Sequence, residues 1–444
     1  MKKLGLSLLG VVAVAAIYYF ASGSEQLTIQ MKEQVDAEIA TLQTQGFAVE
    51  GREVTEKKEH FIISLNEPKK VATYLTAQGA QVSAQDIEAL KGFKIGIDIA
   101  YLADAYSAAS FDMYPVALPT ALTTATMDDD EKKALEQINK MIEKKTFLVH
   151  VDVNKIGTGF KGYMKDINEV IEGKEPIALT MTALKFTGDL KDDKLKGIKQ
   201  TLKNFTMKDA SDAINIQLNN LTSNYTLTGA SNYDYTTGYT IEDILVTAKD
   251  EFKFRINNMT MNSDSKVKNN LASITAQTEI DSIHFTEGQK TSTLETLIFD
   301  MKADNFDMNA IEKLENIDPN NEKELLATFQ ELISKGIHFE IPNFSVKNIE
   351  FENQKLEGFK FTSSFDIDKS LDLASLEKNP MAAISAMDAN LNLTLSNQLF
   401  GLLAKQPQAV MAMMMIQPKD VNGDKVYTVE LKDGKLSVNG KPMM

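Results

Sequence analysis

The sequence predicts an α+β fold that is mostly β: a long, curved antiparallel sheet with covering helices, entered through an N-terminal membrane helix. Three observations carry this. Between Leu202 and Phe306 apolar and polar residues alternate, with Phe252, Phe254 and Ile256 set against Lys253, Arg255 and Asn257. Farther on, Leu297, Phe299, Met301 and Ala303 are set against Ile298, Asp300, Lys302 and Asp304. A period of two sends each set to its own face of a strand, so this middle reads as a sheet with one apolar and one wet face. The second observation is Leu4 to Ala21, a run of 18 residues without charge behind Lys2 and Lys3. The third is apolar residues at helical spacing near 128–145, 307–335 and 396–416, placed to cover the face or the ends of the sheet.

Composition sets the bounds. The chain has 444 residues, enough for two or three cores or one extended sheet. Hydrophobic residues make up 43% and charged residues 25%, a balance that folds rather than staying disordered. A net charge of -15 repels phosphate backbones and argues against nucleic acid as a partner. There is no cysteine, which removes disulfides, thiolate metal sites and thiol nucleophiles.

At the N-terminus, the charge-free run spans about 27 Å as a helix, close to the thickness of a hydrocarbon core. Leu8, Leu9, Val12 and Ile17 would face lipid, and Tyr18 and Tyr19, with Phe20, would sit at the headgroup layer. Lys2 and Lys3 predict a cytoplasmic end, so the body is expected on the exported side of a bacterial inner membrane, in the periplasm. Ala21-Ser22-Gly23 offers the small residues of a cleavage site, but the aromatic triplet lies against it; a retained anchor is the expectation.

From Glu25 to Gln45, Leu27, Met31, Val35, Ile39 and Leu42 make a helical stripe, and Gly46 suits its stop. A hairpin is expected over Phe47–Leu65, two short helices near Lys69–Ala77 and Ser83–Lys91, and a strand over Phe93–Tyr101. Pro115 and Pro119 mark a loop. Met127 to Lys145 is an amphipathic helix, with Asp128, Asp129 and Asp130 at its positive end and Lys144 and Lys145 at its negative end. Strand signals dominate from Thr146 to Phe306. Asn219-Asn-Leu-Thr222 and Asn257-Asn-Met-Thr260 recur at similar points, a hint of repeated hairpins. Helices follow over Asn305–Ile317 and Asn321–Lys335, the latter with Leu325, Leu326, Phe329, Leu332 and Ile333 on one side. Strands return over Ile337–Ile367, and Ser396–Ile416 is apolar and helical apart from Pro407. Val426–Lys432, the Asp433-Gly434 turn and Lys435–Val438 close the chain as a hairpin. The body divides at about residue 200, with an α+β part over 47–200 and a β-rich part over 201–444, behind an anchor (1–23) and a stalk helix (24–46).

No catalytic constellation emerges. Gly157-Thr-Gly159-Phe-Lys-Gly162 matches a dinucleotide-binding pattern, but Ile177–Phe186 is not the buried apolar strand that fold needs, so a hairpin turn is expected. Asp128, Asp129 and Asp130 serve the helix end more economically than a cation. Asp420-Val-Asn422-Gly-Asp424 begins like a calcium loop, yet Lys425 and Leu431 stand where Gly and Glu are wanted. His60, His150, His284 and His338 lie singly in strand patterns, without metal-ligand spacing. No cofactor is expected. Ala409 to Ile416 is the most unusual apolar piece. Met411, Met413, Met414 and Met415, with Phe400 and Leu403 before them, form either a helix plugging the core or an adaptable surface for an apolar ligand or partner.

Several phrases resemble the YdgA-like family of bacterial membrane-anchored periplasmic proteins, a domain of unknown function. They are the Lys-Lys plus apolar start, the middle strand series, Asp300-Met-Lys-Ala-Asp-Asn-Phe-Asp307 running into Ile311 and Leu314, and the closing Gly434-Lys-Leu436-Ser-Val438-Asn-Gly440. The resemblance implies an inner-membrane anchor, a β-rich periplasmic body and no assigned active site. Its strand series is also loosely similar to AsmA-like envelope proteins, which hold lipids in a β-groove, a likeness at the level of the fold. The expected function is non-enzymatic: an envelope protein that binds lipid or another apolar ligand in a β-groove. The alternative is a structural scaffold that binds other envelope proteins.

Overall fold

Strands of alternating pattern are stable only in ladders that shelter their apolar side, and neighbours in sequence find each other first. The computed structural model describes residues 27–77, 84–101, 106–123, 127–155, 157–173, 176–191, 194–209, 214–231, 233–249, 252–314, 317, 321–351, 354–376, 381–406 and 416–443, in two compact units, Met1–Thr226 and Leu227–Met444. The expected anchor, with Leu8, Leu9, Val12, Ile17, Tyr18 and Tyr19, lies outside the described residues. Among the described residues no helix is long and apolar enough to cross a membrane.

The first unit opens with α1 (Leu27–Thr44), which stops at Gly46, where φ is +92°. Then follow β1 (Phe47–Val54), β2 (Lys58–Leu65), α2 (Pro68–Ala77), α3 (Ala84–Ala89), β3 (Lys94–Tyr101) and β4 (Ser107–Ala117). After the short α4 (Thr120–Thr123) comes α5 (Asp129–Glu143). Asp128 caps it by accepting from the Glu131 backbone, and Glu131 accepts in return from the Asp128 N–H. The acidic run is thus a helix start, as the charge pattern predicts. The strands β5 (Val149–Asn154), β6 (Gly159–Met164), β7 (Ile167–Ile171), β8 (Ile177–Thr182), β9 (Lys185–Lys191), β10 (Lys194–Asp209) and β11 (Ile214–Leu227) complete the unit. All pairs are antiparallel. Strand β6 pairs with β9 and β7 with β8, so the four are one long hairpin, and β10 lies along both β9 and β8.

One face of this sheet holds a core. Phe61, Ile97, Ile99, Phe111, Val151 and Val153 are each no more than 1% exposed, and α1 to α3 add Val35, Val71, Leu75 and Ile87. Burying each such side chain stabilises by roughly 1.5–3 kcal/mol. Pro115 departs from expectation: it lies inside β4, not in a loop. The ladder shifts register beside it, from Ile95↔Pro115 to Lys94↔Ala117, and a bulge is where a strand tolerates a missing N–H.

The second unit begins with four long strands, β12 (Tyr235–Ala248), β13 (Phe252–Lys268), β14 (Leu271–Glu287) and β15 (Lys290–Asp307). The helices α6 (Met308–Leu314) and α7 (Glu322–Ile333) come next, then β16 (Ile337–Phe351) and β17 (Gln354–Ile367). The remainder is α8 (Met381–Ser385), β18 (Met387–Leu395), α9 (Asn397–Leu403), β19 (Lys419–Val421), β20 (Asp424–Lys432), β21 (Lys435–Val438) and β22 (Lys441–Pro442). The sequence reading passes over β18, although its leucines alternate with asparagines. Strands β12 to β18 pair in sequence order and β18 then pairs with β20. The Asp433-Gly434 turn has φ of +50° and +72°, the left-handed pair that a two-residue hairpin needs.

A crease interrupts these ladders. Ala183 and Asn220 in the first unit, and Asn258 and Thr296 in the second, hold φ of +50° to +54° between or within strands. They follow one another at 37, 38 and 38 residues, the length of one hairpin. Each falls where pairing skips a position: Asn257↔Ser282 and Met259↔Ile280 flank Asn258, and Glu295↔Asn348 and Leu297↔Val346 flank Thr296. Asparagine tolerates this conformation, whereas a β-branched residue is strained in it. Thr296→Asn should therefore stabilise the protein by about 1 kcal/mol, read as a rise of about 2–4 °C in melting temperature. An unchanged or lower Tm would show that Thr296 is not strained.

Candidate functional site

Within the second unit the crease is matched by a change of phase in the apolar pattern. Each strand steps from one apolar residue to the next across three positions instead of two: Ile241 and Ile244, Ile256 and Met259, Ile280 and Ile283, Leu294 and Leu297, Val346 and Ile349, Leu356 and Phe359. A regular strand would send residues i and i+3 to opposite faces. The crease between them restores one face to both halves. Sequence reasoning noticed the two Asn-Asn phrases but not this skip, the signal that would have located the crease in every strand.

Cross-strand register aligns these residues into two rows. Ile241, Met259, Ile280, Leu297, Val346, Phe359 and Leu395 are successive partners from β12 to β18. Ile244, Ile256, Ile283, Leu294, Ile349 and Leu356 are successive partners from β12 to β17. At about 4.8 Å per strand the longer row extends about 29 Å, and three residues of strand separate the rows by about 10 Å. Edge-on aromatic contacts continue the apolar face beside them, Phe299–Phe344 at 5.7 Å and Phe344–Phe359 at 5.2 Å. Ile280, Val346, Leu356 and Leu395 are buried, but the other row residues are only half-buried. Large side chains farther out on these strands are open to solvent: Tyr239 is 45% exposed, Met261 38%, and Phe285 and Phe351 each 37%. A second layer would have closed these side chains off. Of the helices expected over the face or the ends of the sheet, α6 and α7 pack against β15 at its end and α9 against β17 and β20.

The opposite face is polar and well bonded. Arg255 pairs with Asp243 at 2.5 Å, the Asn257 amide donates to Ser282 at 2.8 Å, and Lys355 pairs with Glu295 at 2.7 Å. Ser282 Oγ lies 3.0 Å from Nε2 of His284, an arrangement that suggests a nucleophile and its base. The third member, however, is the Thr293 hydroxyl at 3.0 Å from Nδ1, and an uncharged hydroxyl does not stabilise an imidazolium.

In the first unit the polar face carries a second cluster. His60 Nδ1 and Asp98 Oδ1 lie 2.6 Å apart, as do His150 Nδ1 and Asp112 Oδ1, and Lys145 Nζ donates to Asp98 at 2.9 Å. The hydrogen bond to Asp112 pushes the His150 imidazole up. Burial would raise Asp98, but hydrogen bonds from Lys145, His60 and Tyr114 outweigh it and hold the carboxyl below the usual range. His60 and His150 stand three strands apart, about 14 Å, too far to share a metal ion. Among the described residues no group of three His, Asp or Glu is placed to hold one.

The other sequence-level candidates resolve simply. Gly157 is a turn residue at φ +65°, and β6 follows it where a dinucleotide fold would have a helix. A Cβ on Gly162 would lie 2.3 Å from the His150 carbonyl oxygen, so that glycine serves strand packing. Asn422 and Gly423 form the tight turn between β19 and β20, at φ +55° and +96°. Phe400 and Leu403 lie on α9, half-buried, whereas Met411, Met413, Met414 and Met415 fall outside the described residues. A cleft of about 540 Å³ between α6 and α7 is lined by Asn309, Glu312, Ile317, Glu324 and the ion pair Lys313–Glu331.

A family model described as a bacterial protein of unknown function (DUF945) matches residues 115–444, most of the chain and all of the second unit. No curated protein and no solved structure matches.

Proposed function

The chain belongs to DUF945, a bacterial family of unknown function that supplies no chemistry to inherit, and from the sheet itself we propose a non-enzymatic protein that binds apolar ligand, lipid foremost. One observation carries the reading: two continuous uncharged rows across β12 to β17 with, among the described residues, no second layer over them. Hydrophobic surface left half-exposed forgoes roughly 25 cal/mol per Å², and an acyl chain laid on it recovers that. The charge-free run behind Lys2 and Lys3 supports a seat at the bacterial inner membrane with the body in the periplasm, and the resemblance to YdgA-like envelope proteins points the same way.

The test is mass spectrometry of full-length protein purified in mild detergent, alongside Leu297→Glu. Acyl lipid should co-purify with the natural chain and be lost from Leu297→Glu, because a carboxylate on the strip must be desolvated when a chain covers it. Protein free of lipid that also fails to take up added fatty acid would overturn the reading. The second reading, a scaffold for other envelope proteins, is favoured by Leu326 and Phe329 on α7, both 46% exposed. A single protein crosslinked through α7, with no lipid bound, would support it instead.

A further inference from the structure

The longer apolar row does not end in an apolar residue. Its next partner after Leu395 is Lys425 on β20. Alternation puts Lys425 on the same face as Tyr427 and Val429, so an ammonium stands at the end of a hydrocarbon-like track. The Lys425 side chain is only 19% exposed, and its Nζ lies 5.6 Å from the centre of the Phe400 ring on α9. A cation this sheltered needs a counter-charge. Asp420 on β19 supplies it, but the Asp420 side chain is 70% exposed and well solvated. Asp420 thus keeps most of its hydration while paired and loses little when it is released to water. A second anion could take the place of Asp420 at little cost, because the displaced carboxylate returns to water.

Resting on the apolar-face reading above, we infer that the ligand is a long-chain fatty acid, its carboxylate at Lys425 and its single linear chain laid across the strands along the crease towards β12. The length agrees. A track of about 29 Å takes a chain whose reach is about half the roughly 30 Å bilayer core, with room to spare. Charge complementarity sets the direction: the cation stands at the α9 end, and nothing charged interrupts the row between Leu395 and Ile241. Phe400 shields the head from water, which strengthens the ion pair.

The experiment measures binding of palmitate, hexadecanol and hexadecyltrimethylammonium to the full-length protein by displacement of a fluorescent alkyl probe. Palmitate should bind about tenfold more tightly than hexadecanol, and the ammonium most weakly. Lys425→Gln should erase the preference for palmitate while leaving hexadecanol unchanged. Asp420→Asn should tighten palmitate severalfold by removing its competitor, with the unchanged hexadecanol affinity showing that the variant is folded. Equal affinities for all three heads, or variants that shift all three together, would overturn the assignment of the head to Lys425 and leave the apolar strip standing. Failure of all three to bind would remove both readings.

Discussion

Gly358→Ala should destabilise the second unit by about 3 kcal/mol, a fall of about 6–12 °C in its melting temperature. Gly358 lies at the crease, between the pairs Glu357↔Asn348 and Phe359↔Val346, and its carbonyl accepts from the Ser396 N–H that leads into α9. A Cβ there would stand 1.9 Å from the Val346 carbonyl oxygen and 2.7 Å from its carbon. Both atoms are backbone, so no rotamer can yield; β16 and β17 must part. Gly401→Ala is the matching control. Gly401 lies in α9 with nothing within 4 Å of its Cβ position, and a helical Gly→Ala change there stabilises by about 0.5–1 kcal/mol. Thermal melts of the two variants should move in opposite directions. A Gly358→Ala protein that melts with the natural chain would mean that the close approach of β16 and β17 is not required.

Glu38→Gln should stabilise the first unit by up to about 3 kcal/mol at pH 8 and by almost nothing at pH 4.5. Glu38 is 6% exposed on α1, and burial pushes its carboxyl from the ordinary 4.5 up to about 7, against a weak pull from the Tyr74 hydroxyl that donates to it at 3.3 Å. The sign follows from which state holds the proton more tightly. The folded protein does, so the stabilisation is whole below pH 4.5 and drains away as pH rises through 7. Glutamine keeps the shape and the hydrogen bond without the charge. Melts from pH 4.5 to 8.5 should converge in acid and separate above neutrality, with amide exchange in α1 slowed in the variant at pH 8. Curves that stay parallel over that range would show that Glu38 titrates normally. Nearby Glu59 is paired: Arg52 Nε reaches it at 2.6 Å and the Tyr101 hydroxyl at 2.9 Å.

Local chemistry determined a good deal of this protein before any contact was known. The α1 stop at Gly46, the capping of α5 by Asp128 and Glu131, the Asp433-Gly434 hairpin and the turn within Gly157–Gly162 each depend on residues a few positions apart. Their free energies are decided within that span, so they are legible one segment at a time. The alternation that predicts a mostly β body is equally local. Even the crease is written locally, as the three-residue step from Ile256 to Met259 and its counterparts, and went unread only because a strand is assumed to keep its phase. Tertiary structure alone decided the rest. Pro115 sits within β4 because β3 accommodates a bulge there, and a propensity argument has no view of the partner strand. Whether an apolar strip is covered depends on where helices far away in sequence come to rest; among the described residues α6, α7 and α9 settle at strand ends, and Tyr239, Met261, Phe285 and Phe351 stay exposed. Lys425 becomes the end of that track only because register carries Leu395 beside it across a 30-residue gap in sequence. Pairing over such distances is a sum of many weak cross-strand terms, and no single stretch of sequence contains that sum.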